Sequence, residues 1–135
     1  MDMSDRHHRS VIAVVDDDQG SLASLESLLD SADYEVRAFS TATALLESGE
    51  LSELDGVISD IAMPLMDGFE LARAVQQARP GLPVILITGR PDLLHQSPPG
   101  VPGLYRVFKK PFDGQELLTA VALMVKSPPP RASRS

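Results

Sequence analysis

Short apolar runs recur along the chain, separated by longer stretches in which leucine, alanine and valine return every three or four residues. Val11–Val15, Gly56–Ser59 and Pro83–Ile87 are continuous runs without alternation, the pattern of central parallel strands covered on both faces. Glu35–Phe39 and Tyr105–Lys109 are more mixed and complete the set of expected strands. Leu22, Leu25, Leu28 and Leu29 share one helix face, and a second helix is expected from Thr41 to Glu47 with Ser40 as its N-cap. The third spans about Gly68 to Arg79 on Phe69, Leu71, Ala72 and Val75, and Pro80-Gly81 stops it. The last starts at Asp113, a good N-cap, and continues through Leu117, Leu118, Val121 and Val125 to end before Pro128.

Between the fourth and fifth strands the alternation is damaged. The segment RPDLLHQSPPGVPG leaves only Asp92 to Ser97 for helix, because Pro98-Pro99-Gly100 and Pro102-Gly103 break it. Strand and helix nevertheless alternate throughout, which predicts an α/β fold: a doubly wound, five-stranded parallel sheet with right-handed crossovers and a shortened or irregular fourth helix. Its common strand order is 2-1-3-4-5, the flavodoxin-like (βα)5 arrangement. At 135 residues the chain is expected to build one domain over 10–126, between disordered tails at 1–9 and 127–135.

Composition narrows the setting. No stretch approaches the ~18 consecutive apolar residues that span a bilayer. MDMSDRHHRS lacks the apolar centre of a signal peptide. The absence of cysteine removes disulfides, thiolate metal sites and cysteine nucleophiles; a cytoplasmic location is expected. With 19 acids against 12 bases the net charge of −7 argues against binding nucleic acid and for a cation or a basic partner. His7-His8 has no third ligand nearby in sequence and is assigned to a solvated tail.

The chemistry lies where the apolar runs end. Asp16-Asp17-Asp18 follow the first strand, Asp60 the third, Thr88 the fourth, and Lys109-Lys110 close the fifth. In a doubly wound sheet all of these fall at the carboxyl edge, where ligands bind beside the topological switch point. Asp16, Asp17 and Asp60 crowd like charges that either raise their own pKa values or recruit a counter-ion. Hard oxygen donors on a partly open site suit Mg²⁺. Asp60 then becomes a candidate nucleophile toward a phosphoryl group, with Lys110 and the Thr88 hydroxyl placed to meet its charged oxygens. Asp18 reads as an N-cap and Lys109 as a surface charge.

VVDDD, VISDIAMPLMDGFEL, ILITG and KKPF, in this order over roughly residues 10 to 126, resemble the response-regulator receiver domain of bacterial two-component signalling. The resemblance implies that Asp60 is the phosphoacceptor and that Asp16 and Asp17 hold Mg²⁺ together with Asp60 and the backbone carbonyl of Ala62. It implies that Thr88 is the switch hydroxyl, that Lys110 pairs with the phosphoryl group before a usually cis Pro111, and that Asp67-Gly68 turns into the third helix. The donor would be a phosphohistidine on a sensor histidine kinase or phosphotransfer protein. The chain would catalyse only its own phosphorylation and dephosphorylation, acting without an output domain by changing its binding to a downstream protein. Neither nucleic-acid binding nor membrane insertion is expected.

Three departures from the family pattern stand out. Val107 occupies the place of the usual aromatic residue, and period-two alternation puts Tyr105 on the same strand face as a candidate substitute. The broken fourth helix removes the warrant for the usual dimer, so the oligomeric state stays open. Ala62 and Arg90 border the path of the hydrolytic water; Ala62 cannot hydrogen-bond that water and Arg90 could shield the phosphoryl group, which predicts a long-lived phosphoryl state. Two other functions compete. One is a receiver that docks without phosphorylation; the other is a haloacid-dehalogenase-type phosphatase with Asp16 as nucleophile and Asp18 as general acid.

Overall fold

The computed structural model describes residues 9–90, 92 and 103–126. Five parallel strands form one sheet in the order β2-β1-β3-β4-β5. They are β1 (Val11–Val15), β2 (Glu35–Phe39), β3 (Gly56–Asp60), β4 (Val84–Thr88) and β5 (Leu104–Lys109). The helices are α1 (Gln19–Ser31), α2 (Ala42–Glu47), α3 (Gly68–Ala78) and α4 (Gly114–Lys126), with a 3-10 turn at Leu51–Glu53. The expected α/β architecture and strand order are therefore present. The expected fourth helix lies, apart from Asp92, outside the described residues, as do His7-His8 and the proline-rich C-terminal segment.

β1, β3 and β4 are buried at every position because the sheet is covered on both faces. Alternate residues serve separate cores. Val11, Ala13, Val15, Val57, Val84 and Leu86 pack toward α2 and α3, against Leu45, Phe69, Leu71 and Val75. Ile12, Val14, Ile58, Ile85 and Ile87 pack toward α1 and α4, against Leu25, Leu29, Leu117 and Val121. Truncating a fully buried leucine such as Leu29 to alanine costs about 2–5 kcal/mol in such a core. Gly56 has no side chain because the Met124 methyl of α4 occupies the space that a Cβ would need.

The helix starts follow side-chain chemistry. Asp18 caps α1 by accepting from the Ser21 N–H at 2.8 Å, and Asp113 accepts from the Gln115 N–H at 2.7 Å at the start of α4. At α2 the cap is Thr41 rather than the expected Ser40. Thr41 holds extended backbone while its Oγ1 accepts from the Ala44 N–H at 3.0 Å, so it supplies the oxygen the first turn needs. α3 opens with a full capping box, in which the Asp67 carboxylate accepts from the Glu70 N–H and the Glu70 carboxylate accepts from the Asp67 N–H, each at 2.9 Å.

β5 corrects the expectation for Tyr105. Leu104 pairs with Val84, but Arg106 pairs with Ile85, so one extra residue sits in β5 between consecutive partners. Such a bulge resets the alternation. Leu104 and Val107 join the core beneath α2 and α3, whereas Tyr105 and Phe108 join the one beneath α1 and α4. Tyr105 therefore does not share a face with Val107, which removes the geometric ground for its substituting there.

No described helix is long and apolar enough to cross a membrane.

Candidate functional site

Backbone pairing continues beyond the strands and fixes the residues that follow them. The Asp16 N–H donates to the Phe39 carbonyl at 3.2 Å, the Ile61 N–H to Ile87 at 2.9 Å and the Lys110 N–H to Thr88 at 2.7 Å. Asp16, Asp60, Thr88 and Lys110 thus come to the same sheet edge on a hydrogen-bonded frame rather than on free loops. Behind Asp60, the Gly68 N–H donates to the Ile61 carbonyl at 2.9 Å and closes the connecting loop. A Cβ on Gly68 would lie 2.6 Å from the Asp60 carbonyl oxygen and 2.9 Å from the Ile61 Cα.

Asp16 is 1% exposed and Asp60 7%, whereas Asp17 is exposed at the mouth. Each offers a carboxylate oxygen, and these oxygens lie within 4.8 Å of one another. The Lys110 Nζ stands 3.5 Å from Asp16 Oδ2 and 3.3 Å from Asp60 Oδ1, while Asp16 Oδ1 accepts from the Asp18 N–H at 2.9 Å. Burial pushes the Asp60 carboxyl above the ordinary carboxylate range; Asp16 adds to the rise and Lys110 opposes it. Burial pulls the Lys110 ammonium down, but Asp16 and Asp60 together outweigh it and raise its pKa, so it stays charged at neutral pH. One ammonium against three converging carboxylates leaves negative charge uncompensated, and the donors are all hard oxygens. Asp16, Asp17 and Asp60 therefore fit a divalent cation such as Mg²⁺.

Thr88 is buried at the end of β4, and its hydroxyl is bonded to neighbouring backbone. It donates to the Arg90 carbonyl at 3.0 Å and accepts from the Arg90 N–H at 2.8 Å. The Arg90 Nη2 pairs with Asp92 at 3.3 Å, both side chains well exposed. Ala62 lies half-buried in the loop leaving β3. Asp18 faces the α1 N-terminus, and the hydrogen bond from the Ser21 N–H holds its carboxyl below the ordinary value. The Lys110–Pro111 bond is cis.

A groove of about 900 Å³ runs beside the pocket between α1 and the start of α4, lined by Asp18, Leu25, Leu28, Lys110, Pro111 and Phe112 among others. Leu28, grouped in the sequence with the core leucines of its helix, is only partly buried and lines this groove. Gly68 and Glu70 shape the site without having been assigned a role from spacing alone. The D-x-x-E signature at Asp67–Glu70 was legible for Glu70; for the tightness at Gly68 no local signal exists.

This fold and acidic site define a response-regulator receiver, and the chain belongs to that family: its family model, "Response regulator receiver domain", matches residues 12–122. Among relatives, the DNA-binding transcriptional regulator NtrC of Bradyrhizobium sp. (strain RP501 Parasponia) is 35% identical over 122 residues, covering 90% of this chain and 25% of that protein. The response regulator protein TodT of Pseudomonas putida is 34% identical over 133 residues, covering 98% and 58%. The chain thus spans only part of the regulators it matches. Among solved structures, the signal receiver domain of an HD domain-containing protein from Pseudomonas fluorescens Pf-5 superposes with a TM-score of 0.79 at 35% identity, covering 88% of this chain and 96% of that one. The receiver domain protein from Clostridium thermocellum gives 0.74 at 26% identity, covering 87% and 94%.

Proposed function

We propose that the chain is a phosphorylation-dependent switch that takes a phosphoryl group onto Asp60 from a phosphohistidine of a sensor histidine kinase or phosphotransfer protein and thereby changes its binding to a downstream protein. The observation that carries this reading is the Lys110 ammonium held between the buried carboxylates of Asp16 and Asp60 with Asp17 at the mouth. Asp16, Asp17, Asp60 and the Ala62 backbone carbonyl would hold Mg²⁺, which supplies positive charge toward the oxygens of the transferring group.

An Asp60 carboxylate oxygen attacks phosphorus, the P–N bond to the donor imidazole breaks, and the imidazole leaves with that electron pair. Lys110 compensates charge on the phosphoryl oxygens. Once Asp60 is modified, Thr88 can exchange its bonds to Arg90 for one to a phosphoryl oxygen, and this exchange is the local event that biases two conformations. Water attacks phosphorus, the P–O bond to Asp60 breaks, and inorganic phosphate leaves with the carboxylate restored; Ala62 offers that water no side-chain hydrogen bond, which favours a long-lived phosphoryl state. The chain turns over no other substrate. A dehalogenase-type role for Asp18 as general acid is disfavoured because its carboxylate is committed to the α1 cap. The domain is taken to act in the cytoplasm over residues 10–126.

Incubation with acetyl phosphate and Mg²⁺ followed by intact mass measurement tests the reading. The wild type is expected to gain one phosphoryl group, and neither Asp60→Asn nor wild type in excess chelator is expected to do so. Equal gain in Asp60→Asn, or no gain in the wild type, contradicts it.

A further inference from the structure

Within β3, between the aliphatic pair Val57-Ile58 and Asp60, stands a serine that is fully buried. Ser59 pairs with Val15 on β1 and with Leu86 on β4. An aliphatic side chain would add more to such a slot, and a buried hydroxyl is tolerated there when it is hydrogen-bonded. The Ser59 Oγ donates to the Asp60 carbonyl at 2.9 Å. That oxygen needs a donor. The β1–β3 ladder ends with the pair Val15–Ser59, one step short of it, and among the described residues no backbone N–H donates to it.

The peptide leaving Asp60 is thereby held at both ends. Its N–H, that of Ile61, donates to the Ile87 carbonyl at 2.9 Å, and its oxygen takes the Ser59 hydroxyl. The Gly68 backbone closes on the same oxygen, so that a Cβ there would lie 2.6 Å away. Holding this planar unit fixes ψ of Asp60 and φ of Ile61, the two rotations that relate the Asp60 carboxylate to the backbone running on to Ala62. β4 sets one end of the peptide, and a single hydroxyl sets the other. Without that hydroxyl the carbonyl is left unsatisfied among buried residues, and the peptide is free to turn toward another donor.

We infer that Ser59 is a positioning residue for phosphoryl transfer: its hydroxyl holds the peptide after Asp60 in the orientation that lets the Asp60 carboxylate and the Ala62 carbonyl serve one cation. This rests on the phosphoacceptor role proposed for Asp60. Ser59→Thr and Ser59→Val have the same shape and share any strain of the added methyl; they differ in the hydroxyl. Three measurements compare them: Mg²⁺ binding by calorimetry, the rate of acetyl phosphate labelling at saturating Mg²⁺, and the urea midpoint. Ser59→Val is expected to bind Mg²⁺ about threefold more weakly than Ser59→Thr and to label about tenfold more slowly, the effects of one lost hydrogen bond and of a misplaced reacting group. Ser59→Ala, which adds no bulk, is expected to differ from wild type by the same factors. Ser59→Val matching Ser59→Thr in either Mg²⁺ binding or labelling rate overturns the positioning role, as does a loss confined to the urea midpoint. Where the larger side chains do not fold, Ser59→Ala against wild type decides by the same criteria. A wild type that acetyl phosphate fails to label overturns the acceptor role itself, a separate failure.

Discussion

The Lys110 ammonium is suspended between Asp16 and Asp60, 3.5 Å from one carboxylate and 3.3 Å from the other. Removing it leaves two buried like charges facing each other. Lys110→Ala is therefore expected to lose ~1–3 kcal/mol of stability in Mg²⁺-free buffer, the lower part of the range for a broken buried pair because the lysine is partly exposed. Urea unfolding with and without Mg²⁺ checks this, the deficit shrinking when the cation is added.

Asp60 bears on the pH dependence of stability. Its folded pKa is raised, first by burial and then by Asp16, so the folded chain holds this proton more tightly than the unfolded one. The stability linked to that proton is fully present below the unfolded value of about 3.9 and is lost as pH rises through the higher folded value. At neutral pH the ionised Asp60 is consequently a burden on the metal-free fold. Asp60→Asn should unfold at higher urea than wild type at pH 7 without Mg²⁺, and the difference should narrow toward pH 4. A less stable Asp60→Asn would contradict the electrostatic account.

Gly68 supports the acceptor from behind. A methyl there meets backbone atoms of Asp60 and Ile61, which cannot rotate away as a side chain can. Gly68→Ala should cost about 1–3 kcal/mol and slow labelling by acetyl phosphate. Gly114→Ala, whose new methyl would meet only Leu28 side-chain atoms at 3.4 and 3.7 Å, should stay within ~0.5 kcal/mol of wild type. Denaturant midpoints of the two variants make the comparison.

The β5 bulge separates Tyr105 from Val107. Tyr105→Phe should leave the rate of acetyl phosphate labelling unchanged, because its ring packs toward α1 and α4, away from Val107. A large change measured by intact mass against time would return Tyr105 to the switch.

Much of this was legible in the chain. Unbroken aliphatic runs point to doubly covered strands and the residues ending them to one sheet edge, so the placement of Asp16, Asp17, Asp60, Thr88 and Lys110 at that edge follows from pattern. What escaped depends on geometry that no local pattern encodes. Thr41 rather than Ser40 caps α2, and either residue type can cap. One inserted residue in β5 inverts the alternation that placed Tyr105. Nor does the pattern show that the Thr88 hydroxyl bonds the Arg90 backbone or that the Arg90 guanidinium pairs with Asp92. The positive φ at Leu65 has no signature, since leucine is a residue type that ordinarily avoids it.

Locating the phosphoryl group tests the central claim most directly. Chain labelled with acetyl phosphate and Mg²⁺ is reduced with borohydride, which converts an aspartyl phosphate to homoserine, and the peptides are sequenced by mass spectrometry. Homoserine at position 60 alone is the predicted result. Conversion at Asp16 or Asp17, or none at position 60 in a chain that has gained the group, would contradict it.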